Sequence, residues 1–171
     1  YFFATDMAAT SHYREKVMMG NMDNMGWFLE FAQPRQYMRN SMYLNTGTNK
    51  MLEAAQLLGI ASTDWSWSPR LEDFDGDGRL DLFVTNGVLR DSMNSDISSM
   101  AEKKYKGGSN EWRDFWSSQP MRKENNLAFK NLGNLQFRPS AEDWGLNHNG
   151  VSFGAATADF DGDGDPDLII N

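Results

Sequence analysis

The sequence contains no cysteine, which excludes disulfide scaffolds and thiol chemistry without fixing the compartment. It also has no apolar run near the roughly 18 residues that a membrane span requires. Basic residues are few, since 16 Lys and Arg stand against 24 Asp and Glu, for a net charge of -8. Nucleic-acid binding needs clustered Lys and Arg, so this balance argues against a nucleic-acid partner. Hydrophobic residues make up 40% of the 171 positions, enough for one domain or part of a larger one.

The two ends of the sequence are typical of a segment taken from a longer protein. The chain begins with Tyr1 rather than Met, and it stops inside the apolar run at residues 168–171. We therefore expect it to be a segment of a longer protein, and residues 1–6 to be the end of a preceding repeat.

An internal repeat organises the chain. Two near-identical acidic strings cover residues 73–82 and 159–168, and the second follows the first at an offset of 86 residues (73 to 159). The same offset, applied upstream without gaps, superposes further identical residues: Asn45 on Asn131, Gly47 on Gly133, Ala55 on Ala141, Gly59 on Gly145 and Ser66 on Ser152. Matches over more than forty residues indicate a structural repeat. We place the first repeat at 40–87 and the second, truncated one at 125–171.

Each repeat is predicted to consist of short strands joined by turns. Residues 82–85 and 169–170 are β-branched or aromatic and follow the acidic strings. Residues 127–137 predict a hairpin with a Gly-Asn pair near its bend, and residues 42–47 predict its counterpart. Residues 152–158 are small and alternating, as in a tightly packed inner strand.

Two segments, 7–39 and 88–124, lack this alternation and carry helix formers, so we interpret them as partly helical insertions on one face of the array. Without the second insertion the unit has about 50 residues, which is typical of one four-stranded propeller blade. Five of the 11 methionines lie at 7–25, a composition more typical of flexible core filler than of an adaptable binding surface.

The acidic strings have the spacing Asp-x-Asp-x-Asp-Gly-x-x-Asp, which predicts metal sites. Carboxylates at positions 1, 3, 5 and 9 converge when the loop curls, position 7 turns its carbonyl inward, and the glycine permits the bend. All donors are hard oxygens, so calcium is favoured over zinc or copper. The predicted ligands are Asp73, Asp75, Asp77, the Arg79 carbonyl and Asp81 in one loop, and Asp159, Asp161, Asp163, the Asp165 carbonyl and Asp167 in the other.

The alternative, a solvated acidic turn without an ion, is disfavoured by electrostatics and by repetition. Two carboxylates about 4 Å apart repel by roughly 4 kcal/mol at an effective dielectric near 20, and a divalent cation reverses that sign. An EF-hand loop is rejected because position 12 is Val84 or Ile170, within strand-like runs, rather than an acidic residue. Thrombospondin-type loops rely on disulfides, and the nonapeptide period of glycine-rich toxin repeats does not occur.

The sequence resembles the FG-GAP/VCBS repeats of integrin-α-type β-propellers. The resemblance is carried by Asp-Phe-Asp-Gly-Asp-Gly-x-x-Asp-Leu followed by a strand, and by Phe153-Gly154 before the second string. Residues 126–133, 63–67, 36–40 and 84–87 are similar to bacterial VCBS-repeat proteins that carry an ASPIC/UnbV module and are related to cartilage acidic protein. The resemblance implies a mainly β fold, a partial β-propeller of calcium-loop blades, and export to the cell surface, periplasm or exterior. Pro166 departs from the pattern at position 8, which is not a ligand position.

Three functions are compatible with the residues. The leading hypothesis is a non-catalytic, calcium-stabilised module that binds a protein or glycan, with ligand binding left to the insertions. Trp112, Phe115 and Trp116 are candidates for that role, although such a cluster more often anchors a helix. The alternatives are part of a calcium-dependent polysaccharide lyase or hydrolase, and a blade array that holds another domain.

Catalysis has little support in the sequence. There are two histidines, His12 and His148, both in segments typical of insertions or turns. No nucleophile elbow, phosphate loop or zinc spacing occurs, so we predict no catalytic residue and no cofactor other than calcium.

Overall fold

The computed structural model describes residues 1–18, 30, 31, 33 and 37–171. Strands β1 to β12 are, in chain order, Phe2–Ala4, Met7–Ala8, Ser41–Asn45, Met51–Glu53, Asp64–Glu72, Asp81–Asn86, Glu124–Asn125, Leu127–Gly133, Gln136–Pro139, Asn149–Gly150, Ala155–Ala158 and Asp167–Ile170. Helices α1 to α3 are His12–Met18, Ser95–Lys104 and Asn110–Ser118. The described part of the chain is therefore mainly β, as predicted.

The centre of the molecule is an antiparallel sheet with strand order β2-β5-β6-β8-β9. All six residues of β6 are buried, since this strand lies inside the sheet and both of its faces are covered. Leu82 and Val84 face one apolar core, which also contains Phe3 and Met42. Phe83 points the opposite way, as alternation along a strand requires, into a second core. The sheet is thus sandwiched between two hydrophobic layers.

Neighbouring sheets cover the two faces. A sheet of order β1-β3-β4 supplies the first core, and the β11-β12 pair supplies the second through Ala155, Leu168 and Ile170. The boundaries of the repeats and of the sheets do not coincide. The first repeat contributes β3 and β4 to one sheet and β5 and β6 to the central sheet, whereas the second contributes β8 and β9 to the central sheet and β11 and β12 to another. Successive antiparallel sheets packed face to face are what a partial β-propeller of these repeats requires.

The two hairpins differ in their turns. Strands β8 and β9 are joined by Asn134 and Leu135, whose φ angles of 52° and 59° give the tight turn that suits a two-residue hairpin. The predicted Gly-Asn bend therefore lies one residue early. Strands β3 and β4 form the matching hairpin with a longer connection.

The inner strand predicted at 152–158 is shorter in the structure. It occupies Ala155–Ala158, because Ser152 N donates instead to Asn86 O at 2.9 Å, outside the β11-β12 ladder.

Helices occur in both predicted insertions. In the first, α1 follows the short strand β2, and its Val17 and Met18 are buried. In the second, α2 is capped by Asn94 and α3 by Ser109, whose side chains accept backbone N–H groups of the first turn. Of the methionines at 7–25, only Met7 and Met18 are described; the other three lie outside the described residues.

A charge network joins the two insertions to the central sheet. Arg14 of α1 donates to Glu124 at 2.7 Å and lies 3.1 Å from Asp64. Arg122 donates from Nε to the other oxygen of Glu124 at 2.7 Å and from Nη1 to Asp91 at 3.0 Å. Helices α1 and α2 are in contact. The insertions are therefore held against each other and against the blade. None of the helices in the described ranges is long and apolar enough to cross a membrane.

Candidate metal sites

Each acidic string forms a loop between two adjacent antiparallel strands. The first loop, residues 73–81, joins β5 to β6, and the second loop, residues 159–167, joins β11 to β12. The bends use left-handed backbone at Gly76 and Gly78, with φ of 70° and 84°, and at Gly162 and Gly164, with φ of 79° and 96°. A residue with a side chain would be strained at these φ values, which explains why glycine occupies these four positions. The strands hold both ends of each loop in place.

The two loops bring the same three carboxylates together. Asp73, Asp75 and Asp81 each place one oxygen within 4.8 Å of the others, and the second loop does the same with residues 86 further along: Asp159, Asp161 and Asp167. These are positions 1, 3 and 9 of the predicted motif. Three convergent carboxylates of hard oxygen character fit a calcium ion, which takes 6–8 oxygen ligands.

Backbone amides fix the first aspartate of each loop. Asp73 accepts from Asp77 N at 3.0 Å and from Gly78 N at 2.7 Å. Its counterpart Asp159 accepts from Gly162 N at 2.7 Å and from Gly164 N at 3.1 Å. The turn is thus organised by the loop's own carboxylate.

The last aspartate of each loop closes it in the same way. Asp81 accepts from Phe74 N at 3.1 Å, and Asp167 accepts from Phe160 N at 2.8 Å. Both loops therefore use positions 1 and 9 to accept backbone amides, although one partner of position 1 is position 5 in the first loop and position 4 in the second.

The surroundings of this last aspartate differ between the loops. Asp81 is 0% exposed, and its second oxygen accepts from Asn131 N of β8 at 2.7 Å. Burial raises the pKa of Asp81 above its ordinary value, the Asp75 and Asp77 charges raise it further, and the two amide hydrogen bonds oppose the change. Asp167 is only half-buried. A cation beside Asp81 would stabilise a charge that the fold has removed from water.

Internal cations reach the first loop. Lys130 on β8 pairs with the Asp75 carboxylate and lies 3.2 Å from Asp77 Oδ2, and the Arg79 guanidinium also pairs with Asp77. The hydrogen bonds to Asp75 and Asp77 raise the pKa of Lys130. Desolvation acts to raise the pKa of Asp77, but hydrogen bonds from Lys130 and the Arg79 amide lower it overall. Side chains of this chain therefore neutralise part of the first loop.

The second loop has no such partner among the described residues. Asp165 occupies the position that Arg79 has in the first loop, so the second loop contains five aspartates and no basic residue. No Lys or Arg in the described ranges forms an ion pair with any of these carboxylates. Its side chains instead accept from the loop's own amides, as Asp163 does from Asp165 N at 2.9 Å.

Not every predicted ligand lies in a carboxylate cluster. Asp77 and Asp163, at position 5, lie in the loops but outside the two clusters. Asp77 is directed to Lys130 and Arg79 instead, with Arg79 Nε donating in turn to Asn131 O at 2.8 Å. The carbonyls of position 7 remain predicted ligands.

Two residues that contact the first loop, Asn131 and Lys130, were not predicted from the sequence. Asn131 had a signal, because it matches Asn45 in the repeat, and both side chains accept from the glycine two residues on, at 2.9 Å and 2.8 Å. The repeat gave no such signal for Lys130, because the matching residue of the first repeat is Leu44.

The other candidate residues lie outside the two acidic loops. Trp112, Phe115 and Trp116 are half-buried on α3, with ring centroids 6.1 Å apart for the two indoles and 5.2 Å apart for Phe115 and Trp116. His12 begins α1 and His148 precedes β10, and both are exposed.

Comparison with known families gives one match. The profile of the FG-GAP-like repeat matches residues 20–84 and 109–170, which together cover most of the chain, once for each repeat. No curated protein and no solved structure matches the chain.

Proposed function

The chain belongs to the FG-GAP-like repeat family, and from this we propose that it is a calcium-stabilised, non-catalytic propeller module that binds a partner outside the cytoplasm. The observation that carries the proposal is the three-carboxylate cluster, formed twice at matching positions of two loops. The mutual repulsion of such gathered carboxylates opposes this arrangement, and a divalent cation would reverse that repulsion.

Calcium is the ion that the donor set favours. The residues that would hold it are the motif's aspartates and the position-7 carbonyls, all oxygen donors. Magnesium demands a tighter octahedron and keeps its waters, so it should substitute poorly. Extracellular calcium modules work with weak sites of roughly 10⁻⁴ to 10⁻³ M, which suits the proposed location at the cell surface, in the periplasm or outside the cell.

The role we assign to the ion is structural. Each loop connects paired strands beside a hydrophobic core, so an ion there would fix the turn and the register of the strands. The partner, a protein or a glycan, would be bound by the insertions, and further blades of the same propeller would pack on the exposed sheets. Cell adhesion is one function of such a module.

The test is thermal melting of the full chain in EDTA, in calcium and in magnesium. A ligand that binds only the folded state stabilises it by RT ln(1 + [L]/Kd), or about 2.7 kcal/mol per site at a hundredfold excess over Kd. Calcium should raise the melting temperature, and Asp75→Ala and Asp161→Ala should each remove most of one site's contribution. Asp143→Ala, an exposed aspartate outside the loops, is the matched control and should respond to calcium like wild type.

Two outcomes contradict the proposal. Equal melting temperatures for wild type in EDTA and calcium would defeat structural calcium. If calcium left stability unchanged but switched on cleavage of a polysaccharide, the lyase or hydrolase alternative would replace it.

A further inference from the structure

A cavity of about 310 Å³ lies between the two helices of the second insertion. It is lined by Arg90, Ser92, Ser98, Glu102, Trp112 and Trp116. This volume is at the lower end of the roughly 300–1,000 Å³ of small-molecule sites. The acidic loops contribute no residue to its lining, so it is separate from the candidate metal sites.

The walls of this cavity are held by their own hydrogen bonds. Arg90 donates from Nε to Trp116 O and from Nη2 to Ser117 O, both at 3.0 Å, which ties the C-terminal turn of α3 to the segment before α2. Ser98 Oγ donates to Ser92 O at 2.7 Å on the opposite side. Contacts within the second insertion thus position both sides of the cavity.

The two walls differ in chemistry. Trp112 and Trp116 lie one helical turn apart on α3, with interplanar angle 71°, and form an aromatic wall. Ser98 and Glu102 lie one turn apart on α2 and form a polar wall, which Arg90 extends. In the described ranges neither Arg90 nor Glu102 is in an ion pair.

The indole N–H of Trp116 is unpaired in the described part of the chain. Its Nε1 is buried and has no hydrogen-bond partner among the described residues. Because this N–H is not exposed, Trp116 contributes its ring to the cavity rather than a hydrogen-bond donor.

We propose that this cavity binds one ring of a neutral saccharide, an inference that deepens the proposed function and rests on it for the premise that the module binds a partner. A pyranose ring has an apolar C–H face, which can stack on one of the two indoles, and hydroxyl groups at its edge. Those hydroxyls can donate to the Glu102 carboxylate, exchange hydrogen bonds with Ser98, and accept from the remaining N–H groups of Arg90.

Other ligand classes fit this lining less well. An aliphatic ligand would leave the Glu102 carboxylate and the remaining N–H groups of Arg90 without partners as they lose water, which is costly. An ammonium ligand would suit two indoles and Glu102, but Arg90 lines the same space and repels a cation. A neutral ligand with donors, acceptors and an apolar face satisfies the indoles, the Glu102 carboxylate and the Arg90 guanidinium together.

The two walls of the cavity differ in their relation to the family match. Arg90, Ser98 and Glu102 lie between the two segments that match the family, residues 20–84 and 109–170, whereas the indoles lie inside the second match. The polar wall therefore lies outside the segments that match the family, and the aromatic wall lies inside the second one.

The experiment is saturation-transfer NMR and titration calorimetry on the full chain in calcium. The probes are cellohexaose, laminarihexaose and N-acetylchitohexaose as neutral saccharides, hexagalacturonate as an acidic one, and tetramethylammonium as a cation. We expect at least one neutral hexamer to bind, with saturation transferred to its ring C–H protons. Trp112→Ala should weaken binding by about tenfold or more, as loss of a central aromatic contact does. Glu102→Gln, which changes an exposed side chain, should weaken it severalfold. Tyr13→Ala, which removes an aromatic ring that is 67% exposed on α1, is the control and should bind like wild type.

Three results would overturn the inference. They are no binding of any neutral hexamer, binding of tetramethylammonium alone, or wild-type affinity in both Trp112→Ala and Glu102→Gln. If Trp112→Ala does not fold, Glu102→Gln decides. Melting the same samples with and without calcium separates the two proposals, because a calcium-dependent melting temperature without saccharide binding contradicts only this one.

Discussion

The two acidic loops accept backbone amides at the same two positions but have different surroundings. In both, position 1 accepts backbone amides across the turn and position 9 accepts the amide of position 2. In the first, a neighbouring strand also supplies Asn131 and Lys130, and the last aspartate is buried. The geometry of the turn is thus encoded in nine residues, whereas its electrostatic environment comes from a strand about 50 residues further along the chain.

This difference predicts unequal dependence on the metal. The first loop has Lys130 and Arg79 to offset its carboxylates when no metal is bound. The second loop holds five aspartates, and no Lys or Arg of the described ranges pairs with them. Their repulsion is therefore relieved only by solvent, salt or a bound ion. Calcium should therefore order the second loop more than the first, and chelation should expose residues 159–167 to protease before residues 73–81.

The largest effect we predict separates the buried aspartate from its half-buried counterpart. Asp81→Ala leaves Asn131 N and Phe74 N without their acceptor at a buried position, so the free energy of unfolding in EDTA should fall by about 3 kcal/mol. Asp167→Ala removes one amide contact at a half-buried position and should cost about 1 kcal/mol. Urea unfolding followed by circular dichroism measures both. Equal losses would show that the packing around the two loops is the same.

Lys130→Met should have a smaller effect, which lowers stability without metal but raises the calcium affinity of the first loop. Without metal, the variant should unfold more easily than wild type, because Asp75 and Asp77 lose their counter-ion. With calcium, the first loop should bind the ion severalfold more tightly, since a competing positive charge is gone. Calcium titration by calorimetry and urea unfolding in EDTA check the two parts. Lys50→Met, a lysine in the β3-β4 connection, serves as the control. A uniform loss of stability and of calcium affinity would contradict the competition.

The smallest effect concerns position 7, where the loops differ in one side chain. Asp165→Arg gives the second loop the residue of the first, and it should lower calcium affinity there by a fewfold, because the backbone carbonyl is retained while the charge changes. Arg79→Asp should do the reverse at the first loop, although it also removes the Nε donor to Asn131 O. Calorimetry at two salt concentrations should show the difference shrinking as salt rises. No change in either variant would mean that the side chain of position 7 does not influence the ion.

Local pattern and repetition predicted much of this molecule. The strand after each loop, the hairpin at 127–137 and the helices of the insertions follow from alternation, turn residues and helix formers. The convergence of positions 1, 3 and 9 follows from the motif, because the curl that brings them together is made by glycines inside it.

Contacts between distant strands were not predictable in the same way. The pairing of β6 with β8 places Lys130 beside Asp75, 55 residues away in sequence, and no local pattern marks it. The same pairing buries Asp81. It also joins the last strands of the first repeat and the first strands of the second in one sheet, so the boundaries of the sheets do not coincide with those of the repeats. The cavity between α2 and α3 depends on how two helices pack, which their amphipathic patterns do not specify.

The central claim is that both loops are calcium sites, and a crystal structure grown with millimolar calcium tests it most directly. The predicted result is one ion in each loop, at about 2.3–2.6 Å from the aspartates of positions 1, 3, 5 and 9 and the carbonyl of position 7, identified by its anomalous signal. In the first loop, Asp77 should then contact the ion, and Lys130 should have moved away from Asp75. Two ordered loops that hold only water, with Lys130 still paired to Asp75, would contradict the claim.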